Sequence, residues 1–254
     1  LLEDGENFNF EIPFKYNGAN DLVDVAGRLA YRDEESGLSF LAVVSKSDAQ
    51  ELKPNGAADE YVNDAEISTN AALLNVNKQI NPSNLLGFTF DLYSKDSDIA
   101  RASGNLSTGY FNYTKQESDI EQTKNRYILS WEYDAINKTN FVDNLKAKIY
   151  YQDYETKDYW NEFQAEKYFG PRLLNLDRDV YSRYKLTDDS YGADLQFGSN
   201  INNHQLTYGL DYSLTSNEYY QDKYTNTNGT ISHNYFRTDY PIKRSPDTDT
   251  QRLG

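Results

Sequence analysis

SYGADLQFGSNINNHQLTYGLDYSL, residues Ser190–Leu214, is the stretch that decides the fold class. Tyr191, Ala193, Leu195 and Phe197 alternate with Gly192, Asp194, Gln196 and Gly198. The pattern breaks over Ser199–His204 and resumes with Leu206, Tyr208, Leu210, Tyr212 and Leu214, set against Thr207, Gly209, Asp211 and Ser213. Alternation with period two means strands that carry one apolar and one polar face. A soluble sandwich would bury the apolar face against a second sheet. A membrane barrel would turn it to lipid and its polar face to a lumen.

The same alternation recurs along the chain. It predicts strands over Asn7–Tyr16, Leu22–Arg32, Leu38–Ser47, Ala65–Ile80, Leu86–Tyr93, Tyr127–Tyr133 and Leu145–Tyr151, with a further strand beginning at Thr250. Pro13 lacks a ladder donor and marks an irregularity or an edge in the first strand. The third strand is apolar on both faces near its middle, so its orientation stays open. Turn chemistry follows strands four, six and eight, as at Asn81-Pro82-Ser83-Asn84, Asn137-Lys138-Thr139-Asn140 and Asn200–His204. Long polar segments are expected as loops after strands three, five, seven and nine: Ala49–Asp64, Ser94–Lys124, Asp153–Ser182 and Ser216–Asp249. Several loops of that length count against a compact soluble fold. Short turns alternating with long loops are the layout of an outer-membrane barrel.

Composition agrees. The net charge of −15 excludes a nucleic-acid partner, because neutralising phosphates requires clustered Lys and Arg. Mean hydropathy is −0.84, yet 23 Tyr and 12 Phe are far too many aromatics for a disordered chain. The absence of Cys removes disulfides, thiol nucleophiles and cysteine metal sites. No apolar run is long enough for a membrane-spanning helix, which leaves barrel strands untouched. Tyr16, Tyr31, Tyr133, Tyr151, Tyr191 and Tyr212 are placed to form interface girdles. Asp24, Arg28, Arg32, Asp91, Arg126, Glu132, Lys146, Lys148, Asp194 and Asp211 are expected on the lumen side. The expected fold is therefore all-β: an antiparallel up-and-down transmembrane barrel segment of nine to ten meander strands, spanning residues 1–254.

Short stretches carry a family resemblance. Leu1-Leu2-Glu3-Asp4-Gly5-Glu6 resembles the passage from plug to barrel in TonB-dependent outer-membrane receptors. Val25-Ala26-Gly27-Arg28, Tyr31-Arg32-Asp33 and the strand Leu38–Ser47 resemble the first turns of that barrel. Ser245-Pro246-Asp247-Thr248-Asp249-Thr250-Gln251-Arg252-Leu253-Gly254 is similar to the end of a long extracellular loop entering its next strand. The subgroup most resembled takes up haem, haemoglobin, transferrin or lactoferrin iron. The resemblance implies a barrel of about 22 strands, of which this chain would be the first part of the wall. It implies a plug and a TonB box outside this stretch, and a place in the outer membrane of a Gram-negative bacterium. Implied partners are outer-membrane lipid and lipopolysaccharide, the receptor's own plug, the TonB complex, and an extracellular haem, haem protein or siderophore. Haem or a ferric chelate would be cargo, with no cofactor resident in the segment. Two motifs of the subgroup are missing. Phe236-Arg237-Thr238-Asp239 departs from Phe-Arg-Ala-Pro after two residues, and Asn81-Pro82-Ser83-Asn84-Leu85 falls in a short turn.

Candidate ligand contacts follow from chemistry, since haem iron takes axial His or Tyr. His233 lies among Tyr219, Tyr220, Tyr224, Tyr235 and Tyr240, and the first four of these Tyr are candidate contacts with it; an exposed loop His beside loop aromatics is the plainer reading. His204 falls in a short turn at the opposite end. Asp239, Asp247 and Asp249 lack any calcium-loop spacing and read as solvated carboxylates. No phosphate loop, nucleophile elbow or zinc motif is present, so no metal ligand, catalytic residue or enzyme activity is assigned. The alternatives to iron-source uptake are a siderophore receptor, a passive porin, and a soluble carbohydrate-binding or adhesin β domain.

Overall fold

A computed structural model describes residues 2, 6–50, 64–101, 106–108, 111–136, 142–169, 172–201, 204–233 and 248–253. Thirteen strand segments form one antiparallel sheet. They are β1 (Phe8–Glu11), β2 (Phe14–Asn17), β3 (Leu22–Asp33), β4 (Leu38–Gln50), β5 (Asp64–Asn81), β6 (Asn84–Arg101), β7 (Leu106–Thr108), β8 (Phe111–Asp134), β9 (Asn144–Phe169), β10 (Arg172–Ile201), β11 (His204–Thr227), β12 (Thr230–His233) and β13 (Thr248–Leu253). The path is an up-and-down meander, each long strand pairing with the next, and no ladder joins its two ends among the described residues. β1 and β2 are one first strand broken at Ile12-Pro13; both pair with β3, and Ala26 N donates to Pro13 O at 3.1 Å. The irregularity expected at Pro13 is there. Counted that way, ten strands cross the sheet, with β7 and β12 as short side arms.

Pairing assigns the faces. Phe40, Ala42 and Val44 of β4 lie opposite Tyr31, Leu29 and Gly27 of β3 and opposite Val76, Leu74 and Ala72 of β5. This settles the orientation that the sequence left open. Leu41 and Val43 then share the second face with Arg28 and Ala30. Similar rows run on through Phe88, Leu129, Ile149 and Ala193 to Tyr212. One apolar band thus crosses every long strand. All ten charged residues expected on the opposite face alternate with it; Arg126 meets Asp91 there at 3.0 Å, and Glu132 meets Lys146 at 3.2 Å.

The sheet has no hydrophobic core. Among the described residues only Ala30 and Val180 are buried apolar side chains. Band residues stay open instead: Leu129 is 51% exposed, Ile149 56% and Leu210 53%. A monomeric soluble protein rarely shows an apolar patch this wide.

Of the polar segments expected as loops, residues 51–63 of Ala49–Asp64 and 234–247 of Ser216–Asp249 lie outside the described residues; the rest turns out differently. Most of Ser94–Lys124, Asp153–Ser182 and Ser216–Asp249 is strand. β9 and β10 run on to Phe169 and Arg172, and β8 begins at Phe111. The expectation of long irregular loops there is corrected to long hairpins. Ladder bonds use backbone groups alone, so a strand with polar side chains on both faces pairs as well as an amphipathic one once its neighbour is in register. The connection after β9 is only residues 170–171, and Asn228-Gly229, both at positive φ (51° and 80°), make the two-residue turn between β11 and β12. At the other end the short turns are stitched together: Gln79 N donates to Gly37 O at 2.7 Å, Asp134 N to Ser83 O at 2.8 Å, and Asp143 N to Gly198 O at 2.8 Å.

Candidate functional site

The apolar band does not follow the lateral rows of the sheet. On β3 its residues run from Val23 to Tyr31, centred on Gly27; on β11 they run from Leu206 to Leu214, centred on Leu210. Ladder partners carry Gly27 through Val44, Ala72 and Leu92 to Asn125 of β8. They carry Leu210 through Leu195 and Ala147 to Trp131 of β8. The band has drifted six residues over seven strand-to-strand steps. With about 3.3 Å per residue and about 4.8 Å per strand, the strands lean about 30° from the perpendicular to the band. Each nine-residue run, eight steps along the strand, covers about 26 Å.

Aromatic rings edge the band. Phe90, Tyr127 and Tyr151 form a row with ring centroids 4.9 and 6.3 Å apart, and Tyr191 pairs with Tyr151. The Tyr151 hydroxyl donates to Asp189 at 3.2 Å, across the line where the chain turns polar. On the opposite edge Trp131 Nε1 donates to Asn84 Oδ1 at 3.0 Å. The six Tyr assigned to girdles all lie on the band face, but Tyr212 sits in the row of Ala193 and Ile149, inside the edge row of Tyr151 and Tyr191.

Above the row of Tyr151 and Tyr191 the band face loses its apolar character. The band face of β9 continues as Asp153, Glu155, Lys157 and Tyr159, while the other face becomes Tyr154, Thr156, Asp158 and Trp160. On the charged side Lys157 bridges Glu155 (2.8 Å) and Glu121 (3.5 Å), and Lys185 reaches Glu155 at 2.7 Å. Hydrogen bonds from Lys157 and Lys185 hold the Glu155 carboxyl below its ordinary pKa. Nearby Asp119 moves the other way: partial burial, then Asp98, Glu121, Asp96 and Asp158, raise it. Asp98 and Asp119 belong to an acidic depression of about 360 Å³ with Asp64, Glu66 and Glu117. No cluster able to hold a metal ion occurs among the described residues.

Two surfaces on this extension can meet a ligand. At its tip, on the charged side, the rings of Tyr181 and Tyr224 stack at 4.8 Å and His233 tilts against Tyr224 at 6.2 Å. On the other face Thr156, Asp158, Tyr184, Leu186 and Tyr219 line a depression of about 340 Å³. Ser118 Oγ donates to Asp158 at 2.9 Å, and Gln122 and Thr156 donate to the Tyr154 hydroxyl at 3.2 and 2.8 Å. Buried Gln221, ladder partner of Tyr184, keeps its Oε1 without a hydrogen-bond partner among the described residues.

The structure therefore divides the sequence candidates. It joins His233 and Tyr224, leaves Tyr220 four residues down the same face, and puts Tyr219 on the opposite face. Tyr235, Asp239 and Asp247 lie outside the described residues. His204 stands at the short-turn end, twenty residues from Tyr224, about 65 Å along the strand. Sequence reading missed Tyr181. The pairing of Ile201 with His204 makes it the partner of Tyr224 by counting alone. No family model matches this chain, and no curated protein matches it significantly.

Proposed function

We propose that this chain is part of the wall of an outer-membrane barrel that takes up an iron source, haem or a haem or iron protein, by TonB-coupled transport. The slanted apolar band on a coreless sheet carries the membrane part of this reading. Its lean of about 30° and its height across the band of about 23 Å (a run of about 26 Å along strands so inclined) approach the 35–45° strand tilt and roughly 25 Å apolar height of such barrels. Lipid covers the band, and the opposite face with its Arg126–Asp91 and Lys146–Glu132 pairs lines an interior that holds water or a plug. The short turns are periplasmic, and the hairpin extension stands in water outside the cell. A soluble carbohydrate-binding or adhesin domain would leave the band bare.

The iron part rests on the family resemblance and on the Tyr181–Tyr224–His233 group, whose ring types suit haem. Haemin titrated into the full-length receptor in detergent tests it. The expected result is a Soret shift and tight binding, weakened at least about tenfold by the pair of changes His233→Ala and Tyr224→Ala, the loss of about 1.4 kcal/mol or more. Haemin binding unchanged in that variant removes the site, and haemin-dependent growth unchanged by deletion of the gene removes haem as cargo.

A siderophore is the second reading. The depression at Tyr184 and Tyr219 favours it, because it sits on the interior face, above the pore, and offers stacking rings beside the Asp158 carboxylate. Binding of a ferric chelate that Tyr184→Ala abolishes, with no haemin binding, would select it. Free passage of small solutes through the reconstituted protein, with no saturable ligand, would select a porin.

A further inference from the structure

The apolar band carries a depression of about 390 Å³. Its floor is Ala147 on β9 and Ala193 on β10; Leu129 and Ile149 wall one side, Leu195 and Leu210 the other. These two alanines are diagonal neighbours: Ala147 pairs with Leu195, two residues beyond Ala193. From Ala147 to Ala193 the floor crosses one strand, about 4.8 Å, and climbs two residues toward the long hairpins, about 6.6 Å. It slants about 36° from the strands.

That slant has a meaning. The midline of the band steps toward the short turns as strand number rises, from the Gly27 row to the Leu210 row. A line perpendicular to the band must then step toward the long hairpins as strand number rises, leaning about 30° from the strands. The floor runs in the same sense, within about 6° of that perpendicular. If the band lies in a bilayer, the groove lies along the bilayer normal, the direction in which acyl chains extend.

We infer that the Ala147–Ala193 groove is a seat for one acyl chain of a membrane lipid. The inference rests on the membrane-wall reading above. A chain laid there meets an almost wholly apolar surface, because Ser130, Lys148 and Asp194 of the lining alternate to the opposite face, and the Tyr151–Tyr191 row marks the headgroup level above it. A second copy of the protein is the weaker occupant. A dent of this size cannot bury the roughly 800 Å² per partner that a stable protein interface needs.

Trp131 lines the groove and reports on it. The test uses the full-length receptor with its other tryptophans, Trp160 included, changed to Phe. Phospholipid brominated at mid-chain is titrated into the receptor in excess detergent. Saturable quenching of Trp131 is expected, lost on Ala147→Leu and again on Ala193→Leu, two outward-facing changes that fill the floor. A control receptor carries its only Trp through Phe88→Trp, in the same band outside the groove, with Trp131→Phe. It should stay bright in detergent and be quenched once rebuilt into brominated bilayers. If Trp131 stays bright in detergent while both receptors are quenched in bilayers, the seat is refuted and the membrane wall stands. If neither is quenched in bilayers, the wall reading itself falls. A Trp131 that bilayer bromine never reaches, beside a quenched control and cross-linked pairs, assigns the groove to a second copy and refutes the lipid seat.

Discussion

The lower and upper halves of β8–β11 are continuous strands, yet the face that is apolar below becomes charged above. Below Tyr151 the outward face is Leu145, Ala147 and Ile149 and the inward face Asn144, Lys146 and Lys148. Above it the outward face is Asp153, Glu155 and Lys157 and the inward face Thr156, Asp158 and Trp160. The backbone is indifferent to this change, because the β9–β10 pairing runs from Gly198↔Asn144 to Arg178↔Gln164 without a register shift. On the membrane-wall reading proposed above, what changes is the medium each face meets. Ladder bonding sets that there is a strand; side-chain chemistry sets which solvent lies beside it.

The largest expected effect breaks the contrast from below. Ile149→Arg places a charge in the middle of the band and should cost about 2–4 kcal/mol in folding from urea into vesicles. Thr187→Arg, on the same outward face above the edge row, should stay within about 0.5 kcal/mol. Equal costs at the two positions would mean that both halves face one medium, and the comparison would collapse.

A smaller effect lies on the inward face of the lower half. Gly87 sits between Asn77 and Ser130, and a Cβ there would run into Ser130 Oγ and stand 2.8 Å from Asn77 Oδ1. Gly87→Ala should destabilise by about 1–3 kcal/mol through overpacking. Because side chains rather than backbone cause the clash, Ser130→Gly should recover most of the loss in a double-mutant cycle. Two independent, additive losses would show that the clash is not what the glycine avoids.

The lower half was legible in the sequence because each strand there contrasts two faces. Tyr127, Leu129, Trp131 and Leu206–Leu214 alternate against polar neighbours, and their strands, faces and order are as read. The upper half was illegible for the same reason in reverse. In Asp153–Trp160 both faces hold polar groups, so periodicity carries little contrast, and polarity was read as loop. Asn228-Gly229 was a hairpin signal that went unused. The ligand-facing groups were harder still. Tyr219 and Tyr220 look equivalent in sequence, but adjacent strand residues point to opposite faces, and only a fixed register says which face each meets. Tyr181 enters the site through a partner 43 positions away.

The smallest effect separates two carboxylates of the upper half by pH. Glu155, held low by Lys157 and Lys185, contributes stability above its unfolded pKa and loses it as pH falls through the folded value. Asp119 is raised, so its contribution is present below its unfolded pKa and is lost as pH rises through the folded value. Around neutral pH the ion-pair ladder at Glu155 is therefore intact while Asp119 is charged against its acidic neighbours. Glu155→Gln should loosen the outer hairpins at pH 7 and change little at low pH; the exposed pairs it removes are worth about 0.2–1 kcal/mol each. Asp119→Asn should tighten them at pH 7 and be silent once the wild-type carboxyl is protonated. Amide exchange across 116–125 and 153–160, measured in the full-length protein at about pH 7 and at a pH well below the ordinary carboxylate value of about 4, reads both. The lower half, whose carboxylates lie on the opposite face alone, as in the Glu132–Lys146 pair, should change less between the two values after correction for intrinsic rate. A pH response of the same size in both halves would show that the charged face above the edge row is not what sets it.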